Sequence, residues 1–213
     1  MNEKRTLEQV LNKLDVEFNE ETISLLLNYQ ELVMKWNKSY NLTATRDPAE
    51  FFTRHLIDSI CLTPHIIGEN IIDVGSGSGL PGIPLAILLP QKKISLLDSN
   101  GKKARFLTQV KIDLGLKNVT VIHSRVEKFQ EHTYDGLVTR AFSSIEETLS
   151  LLEHLRSPKG VYYLMKGNLL TQELQSLPAK FQSISSKLEN EFSNESFLVE
   201  ISSKDVPKMS RSH

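Results

Sequence analysis

The sequence predicts an α/β protein: a doubly wound, mostly parallel sheet with an antiparallel last strand, standing behind a helical N-terminal extension. Three observations carry this. From residue 71 onward, short apolar runs at 71–74, 94–97, 119–122, 136–139 and 161–165 alternate with helical segments near 82–89, 101–115, 144–155 and 169–179, the pattern of strand, crossover helix and parallel strand. Before that point the hydrophobic residues recur at helical spacing only. Between 180 and 201 two further strand-like runs are joined by a polar link too short for a helical crossover, so that pair is antiparallel. The expected organisation is a helical extension over 1–66, a core over 67–201 and a polar, basic, flexible tail over 202–213.

In chain order, Leu7, Val10, Leu11, Leu14 and Phe18 define a first amphipathic helix over 6–18. Ile23, Leu26, Leu27, Tyr29, Leu32, Val33 and Trp36 define a second over 20–36. The polar stretch 37–47 breaks the pattern, and Asp47-Pro48 reads as an N-cap followed by proline at the first helical position. A third helix over 48–62 sets Arg54 four residues from Asp58 and His55 four from Ser59. The plain structural reading is a surface ion pair of ~0.3–0.5 kcal/mol and a histidine satisfied by a hydroxyl.

The stretch 71–82, Ile-Ile-Asp-Val-Gly-Ser-Gly-Ser-Gly-Leu-Pro-Gly, organises the rest. Ile71, Ile72 and Val74 suit a buried strand, and Gly75, Gly77, Gly79 and Gly82 let the backbone approach a ligand. Pro81 and Pro84 fit the first turn of the helix that follows. Strand, loop and helix N-terminus together aim free N–H groups at an anionic ligand. Gly77 to Gly82 satisfies the dinucleotide pattern G-x-G-x-x-G, but the chain has no room for the further substrate domain such an enzyme needs. Glycines at alternate positions after Asp73 suit S-adenosylmethionine better, with the carboxylate attracting its ammonium and backbone N–H groups meeting its carboxylate. Asp98 closes the second strand at the spacing of a ribose-binding carboxylate; its alternative role is an N-cap. Val126, after the third strand, would cover an adenine face.

Composition narrows the class. At 213 residues, 39% hydrophobic and 24% charged, the chain has the make-up of a single globular domain with a core of ordinary size. No apolar run is long enough to span a bilayer, and the polar N-terminus has no signal-peptide core, so a cytoplasmic protein without membrane association is expected. The single Cys61 excludes an internal disulfide and a cysteine-based zinc cluster, and no metal is expected. With 25 basic against 26 acidic residues, a polyanion would have to be met by a local basic patch. Nothing signals an oligomer, and a monomer is expected.

With these residues laid out, the chain resembles the bacterial 16S ribosomal RNA guanine 7-methyltransferases, the family first called glucose-inhibited division protein B. The resemblance runs nearly end to end: Trp36-Asn37-Lys38, Tyr40-Asn41-Leu42-Thr43, Arg46-Asp47-Pro48, Arg54-His55, Asp58-Ser59, Asp73-Val74-Gly75-Ser76-Gly77, Leu80-Pro81-Gly82-Ile83-Pro84, Leu97-Asp98-Ser99, Ser124-Arg125-Val126-Glu127, Arg140-Ala141-Phe142 and Lys166-Gly167. It implies a Rossmann-like class I methyltransferase fold, S-adenosylmethionine as donor, and as substrate a guanosine of the 16S rRNA decoding region, guanosine 527 in the RNA's own numbering. Gly75, Leu80, Val126, Glu127 and Arg140 match the family's cofactor-contacting positions, with Asp98 at the ribose position. Where many members carry Arg-His before the last strand, this chain has Ser196-Phe197, so no basic role is transferred to that edge.

Guanine nitrogen 7 carries an in-plane lone pair and needs no general base, which leaves alignment and desolvation as the catalytic work. Thr139-Arg140-Ala141-Phe142 stands where an exocyclic-amine methyltransferase has Asn/Asp-Pro-Pro-aromatic, and Cys61 is badly placed for a pyrimidine nucleophile. Arg140 is the expected acceptor-side residue, holding RNA phosphate or orienting the base; a helix-end ion pair with Glu146 or Glu147 is its plain reading. Lys102, Arg125 and Lys166, rimmed by Asn41, Arg54 and His55, form the expected RNA-facing patch, for 16S rRNA or an assembling small subunit. The competing readings are an S-adenosylmethionine-binding rRNA or assembly factor without turnover and an NAD-dependent oxidoreductase.

Overall fold

The computed structural model describes residues 2–140, 144–166, 174–175, 177–188 and 196–205. Three helical segments precede the sheet: α1 (Glu3–Lys13), α2 (Glu20–Tyr40) and a broken third helix. Asn2 and Asn19 cap α1 and α2 by accepting from Arg5 and Thr22 N–H groups, and Asn41, in the left-handed conformation at φ 49°, ends α2. The third helix, expected as one run over 48–62, is α3 (Pro48–Phe51), a π turn (Phe52–Leu56) and α4 (Ile57–Cys61). Asp47 caps it as expected, accepting from the Ala49 N–H at 3.0 Å. The π turn inserts a residue into the helical period and rotates everything after it.

Among the described residues the sheet has seven strands, β1 (Asn70–Val74), β2 (Lys93–Asp98), β3 (Val119–His123), β4 (Tyr134–Arg140), β5 (Arg156–Lys166), β6 (Phe181–Lys187) and β7 (Phe197–Ser203), in the order β3-β2-β1-β4-β5-β7-β6. The first five are parallel, and β7 runs antiparallel to both its neighbours, β5 and β6. The expected antiparallel pairing is therefore present, with β7 inserted between β5 and β6. Crossovers include α5 (Gly82–Leu88), α6 (Gly101–Asp113) and α7 (Ile145–Leu152). The expected helix over 169–179 falls mostly outside the described residues, as do Ala141, Phe142 and Gly167. Of the expected tail, Ser202 and Ser203 belong to β7 and 206–213 lie outside the described residues.

Period-two alternation distributes the core to two faces. Ile71, Leu96, Val138 and Tyr163 pack with α5, α6 and the N-terminal helices, while Ile72, Leu97, Leu137 and Tyr162 pack with α7. The extension thus shares its hydrophobic core with the sheet. Trp36 of α2 lies 5.6 Å from the Phe106 ring of α6, centroid to centroid, an aromatic contact that docks the extension on the crossover. Among the described residues no helix is long and apolar enough to cross a membrane, and no cluster of three His, Cys, Asp or Glu side chains is arranged to hold a metal. Cys61 is in the core, its thiol pushed up to about 12 by burial and by Asp58, a form unsuited to nucleophilic attack.

Candidate active site

The carboxyl end of β1 turns into the glycine loop, where Gly75, Gly77 and Gly79 have φ of 73°, 60° and 96°. At Gly77 this left-handed turn aims the N–H at the Asp98 carboxylate, 2.9 Å away, while the other Asp98 oxygen accepts from the Asn100 N–H at 2.8 Å. Asp98 therefore ties the loop to the end of β2, and a carboxylate with about four lone-pair sites still has acceptor capacity for hydroxyls. Gly82 is needed for a different reason: a Cβ there would lie 2.2 Å from Leu96 Cδ2 and 2.7 Å from Asp73 Oδ2. Asp73 itself sits under the loop, 1% exposed, accepting from the Gly82 N–H at 3.0 Å. Burial pushes its carboxyl up to about 7, partly offset by hydrogen bonds from Gly82 and Ser76.

Beside this loop opens a cavity of about 330 Å³, lined by Val74, Gly75, Asp98, Arg125, Val126 and Glu127 among others. Asp98, Gly75, Val126 and Glu127, four of the cofactor positions expected from sequence, meet there, whereas Gly77, Gly79 and Arg140 do not line it. Asp73 and Leu80 stand behind the wall, at 1% and 8% exposure. Two residues that sequence reasoning missed complete the loop's surroundings. Tyr29 of α2 is buried and donates its hydroxyl to the Ser78 carbonyl at 2.8 Å, fastening the extension to the loop. Lys103 brings its ammonium within 3.9 Å of where a Gly77 Cβ would stand. Tyr29 carries only a core signal in the sequence, and Lys103 only its position one turn into α6.

The acceptor side is assembled from remote segments. Arg140, the last residue of β4, donates from Nη2 to Nδ1 of His55, 85 residues away, and not to Glu146 or Glu147. Glu147 instead closes a capping box with Ser144. The His55 Nε2 lies 2.7 Å from Thr45 Oγ1. Because Arg140 can only donate, Nδ1 must accept and the proton belongs on Nε2, donated to Thr45, a tautomer assigned from the network. Burial and the Arg140 charge pull His55 down to about 4, so the ring is neutral. Burial also lowers Arg140, opposed by Asp58, Tyr29 and Asp73. Its Nη1 is buried without a hydrogen-bond partner, so one donor of the guanidinium is unsatisfied.

Two expectations for the third helix fail. Arg54 pairs with Glu50 at 3.2 Å on the surface, not with Asp58, because Asp58 is buried at 4% exposure, accepting from Ser196 Oγ at 2.7 Å. Ser59 donates its hydroxyl to the His55 backbone carbonyl at 2.7 Å, leaving the ring to Thr45.

The expected basic patch is split by the fold. Arg54 and His55 come together with Arg140, and Lys166 ends β5 one position beyond Met165, the partner of Arg140 in the sheet. Arg125 lines the cavity beside the glycine loop, and exposed Lys102 is the second residue of α6, its N–H bonded to Asn100. Asn41 is an exposed helix cap. At Ser196-Phe197, Ser196 donates to Asp58, and Phe197 lies opposite Lys166 of β5 and Lys187 of β6 in the sheet; further along β7, Glu200 lies 3.1 Å from His65 Nδ1.

The fold and the sequence both have counterparts among known proteins. A solved S-adenosylmethionine-dependent methyltransferase from Aquifex aeolicus superposes with a TM-score of 0.56 at 18% identity, covering 81% of this chain and 97% of that one, a likeness of fold alone. The ribosomal RNA small subunit methyltransferase G of Hydrogenovibrio crunogenus is 52% identical over 161 residues, 75% of this chain and 74% of that one. Its counterpart in Pseudomonas aeruginosa is 54% identical over 159 residues, 74% of each. The GidB family model, rRNA small subunit methyltransferase G, matches residues 22–196, a span that takes in the glycine loop, Asp98, His55 and Arg140 together; the chain belongs to the GidB family.

Proposed function

We propose that this protein transfers a methyl group from S-adenosylmethionine to nitrogen 7 of a guanosine, guanosine 527, in 16S ribosomal RNA. The residues present fit that cofactor. Asp98 has acceptor capacity beyond its two backbone bonds, Val126 offers an apolar wall, and the loop opens on a cavity of about 330 Å³. When bound, the cofactor supplies an electrophilic methyl on a sulfonium.

The observation that carries the acceptor half is the Arg140 guanidinium, held by a neutral acceptor and keeping one buried donor unused. Nitrogen 7 attacks with its own lone pair, so no proton need be taken from it. Arg140 then orients the base or its phosphate through a fixed donor fork. Arg54, Lys102, Lys103, Arg125 and Lys166 hold the RNA backbone, and the protein acts as a monomer. The substrate class sets the location in the cytoplasm, where small subunits assemble.

The test is transfer of labelled methyl from S-adenosylmethionine to 16S rRNA, naked or in small subunits from cells lacking the modification, followed by borohydride and aniline cleavage at 7-methylguanosine. Cleavage at the single guanosine is expected. Arg140→Ala should lose about 100-fold or more in rate with native melting, and RNA affinity should fall steeply with salt. No label in either substrate, with cofactor binding intact, would convert the reading to a binding factor without turnover.

A further inference from the structure

We propose that His55 is a positioning residue for methyl transfer: its imidazole Nδ1 fixes the guanidinium of Arg140, so that the N-terminal extension aims the acceptor side of the site. This rests on the role given to Arg140 above.

The geometry leaves His55 little else to do. Its Nδ1 is taken by Arg140 and its Nε2 by Thr45. Its ring stands edge-on to Phe51 at 5.8 Å and 74°. Thr45 is held in turn: its carbonyl accepts from Asn37 Nδ2 at 3.0 Å and its N–H donates to Thr43 Oγ1 at 3.3 Å. Asn37 also takes the Thr43 N–H on its Oδ1 at 3.0 Å. A chain of hydrogen bonds therefore runs from the end of α2 through the 41–47 segment and the π turn to β4. The π turn makes it possible, because it moves His55 off the face it would occupy in a regular α-helix.

The choice of partner matters. A carboxylate on Nη2 would orient the guanidinium equally well but would neutralise it. Asp58 and Asp73 act on Arg140 through their charge, while Oδ2 of Asp58 accepts from Ser196 and Oδ2 of Asp73 from Gly82. An imidazole with Arg140 on one side and Arg54 nearby stays neutral, so it fixes direction and leaves the positive charge for the incoming RNA. Such an acceptor would be a poor RNA ligand, since both ring nitrogens are engaged.

Two substitutions separate the ring's atoms. The side-chain oxygen of His55→Asn can replace Nδ1 toward Arg140, whereas His55→Gln reaches the Nε2 position toward Thr45 and withdraws the acceptor from Arg140. Single-turnover transfer at saturating RNA and S-adenosylmethionine should fall roughly 30-fold in His55→Gln and stay within about 3-fold in His55→Asn. The Kd values for S-adenosylmethionine and RNA should be unchanged in both. The double variant His55→Gln with Arg140→Ala should be no slower than Arg140→Ala alone. Should His55→Gln melt below the assay temperature, Thr45→Val, which frees the ring without removing it, is expected to slow transfer about 3-fold to 10-fold. Equal losses in folded Asn and Gln variants, multiplicative losses in the double variant, or weaker RNA binding with a shallower salt slope would each overturn the assignment. If Arg140→Ala is fully active, the role of Arg140 fails first. If Arg140→Ala is inactive while both His55 variants match wild type, only the inference about His55 fails.

Discussion

The donor side and the acceptor side of the site are built from different material. The donor side is nearly all backbone from one stretch: N–H groups of Gly75, Gly77 and Gly82 reach the Leu97 carbonyl and the Asp98 and Asp73 carboxylates at 2.8, 2.9 and 3.0 Å. The acceptor side is all side chain, gathered from Thr45, His55, Asp58, Arg140 and Ser196. A backbone wall tolerates changes of side chain wherever there is space for a Cβ and collapses where there is none. A side-chain wall depends on each partner separately, so its losses are specific to function and smaller in stability.

The strongest way to break that contrast is Gly82→Ala. Its Cβ would meet Leu96 and Asp73 well inside contact distance, and the strand beneath cannot retreat without leaving the sheet. The expected cost is about 3 kcal/mol, or roughly 10 °C in melting temperature, with loss of cofactor binding. Gly77→Ala faces no atom closer than 3.7 Å and should cost only the left-handed backbone term of about 1–2 kcal/mol. Calorimetric melting of both variants decides this, and equal values would mean that close approach at Gly82 has no weight.

Tyr29→Phe sharpens the comparison, because it removes one side-chain bond from the backbone side. The Ser78 carbonyl loses its buried donor, at about 1–2 kcal/mol, and the loop loosens where it meets the cofactor. Isothermal titration should show S-adenosylmethionine affinity reduced roughly 5-fold, in keeping with about 1 kcal/mol, with the salt dependence of RNA binding unaltered. Unchanged cofactor affinity would detach the extension from the donor side.

The same contrast governs what could be read from the sequence. The glycine loop, Asp98 and the alternating strands are local patterns, and β1 and β2 begin at Asn70 and Lys93, each one residue before its expected start. The acceptor side was legible only as separate residues. Arg140 could be placed at a strand end, but its partner lies 85 positions away, and no local period reports such a pairing. The rest followed from a choice that the period leaves open, since a 3.6-residue period sets Arg54 four residues from Asp58 and four from Glu50 alike; Arg54 takes Glu50, and Asp58 is buried. Tyr29 fits a hydrophobic stripe so well that its hydroxyl bond leaves no trace in the pattern.

The smallest effect tests the electrostatics of the acceptor side directly. His55 is held near 4 in the folded protein against an ordinary 6.5, so between these values the unfolded chain binds the proton more tightly. Its contribution is present in full above pH 6.5 and is lost as pH falls toward 4. Asp73 runs the other way: its carboxyl is raised to about 7, and its contribution, present below about 4, is lost as pH rises to 7. The two oppose each other in wild type and flatten its profile, but Asp73 is common to wild type and His55→Asn and cancels in their difference. The stability gap between those proteins should therefore widen from pH 5 to pH 7.5 by about 1 kcal/mol, after discounting for the partial exposure of the ring. Denaturant unfolding at the two pH values measures it. A gap that stays constant would mean that His55 titrates as an ordinary surface histidine, and a protonated ring at that position has no lone pair to offer Arg140.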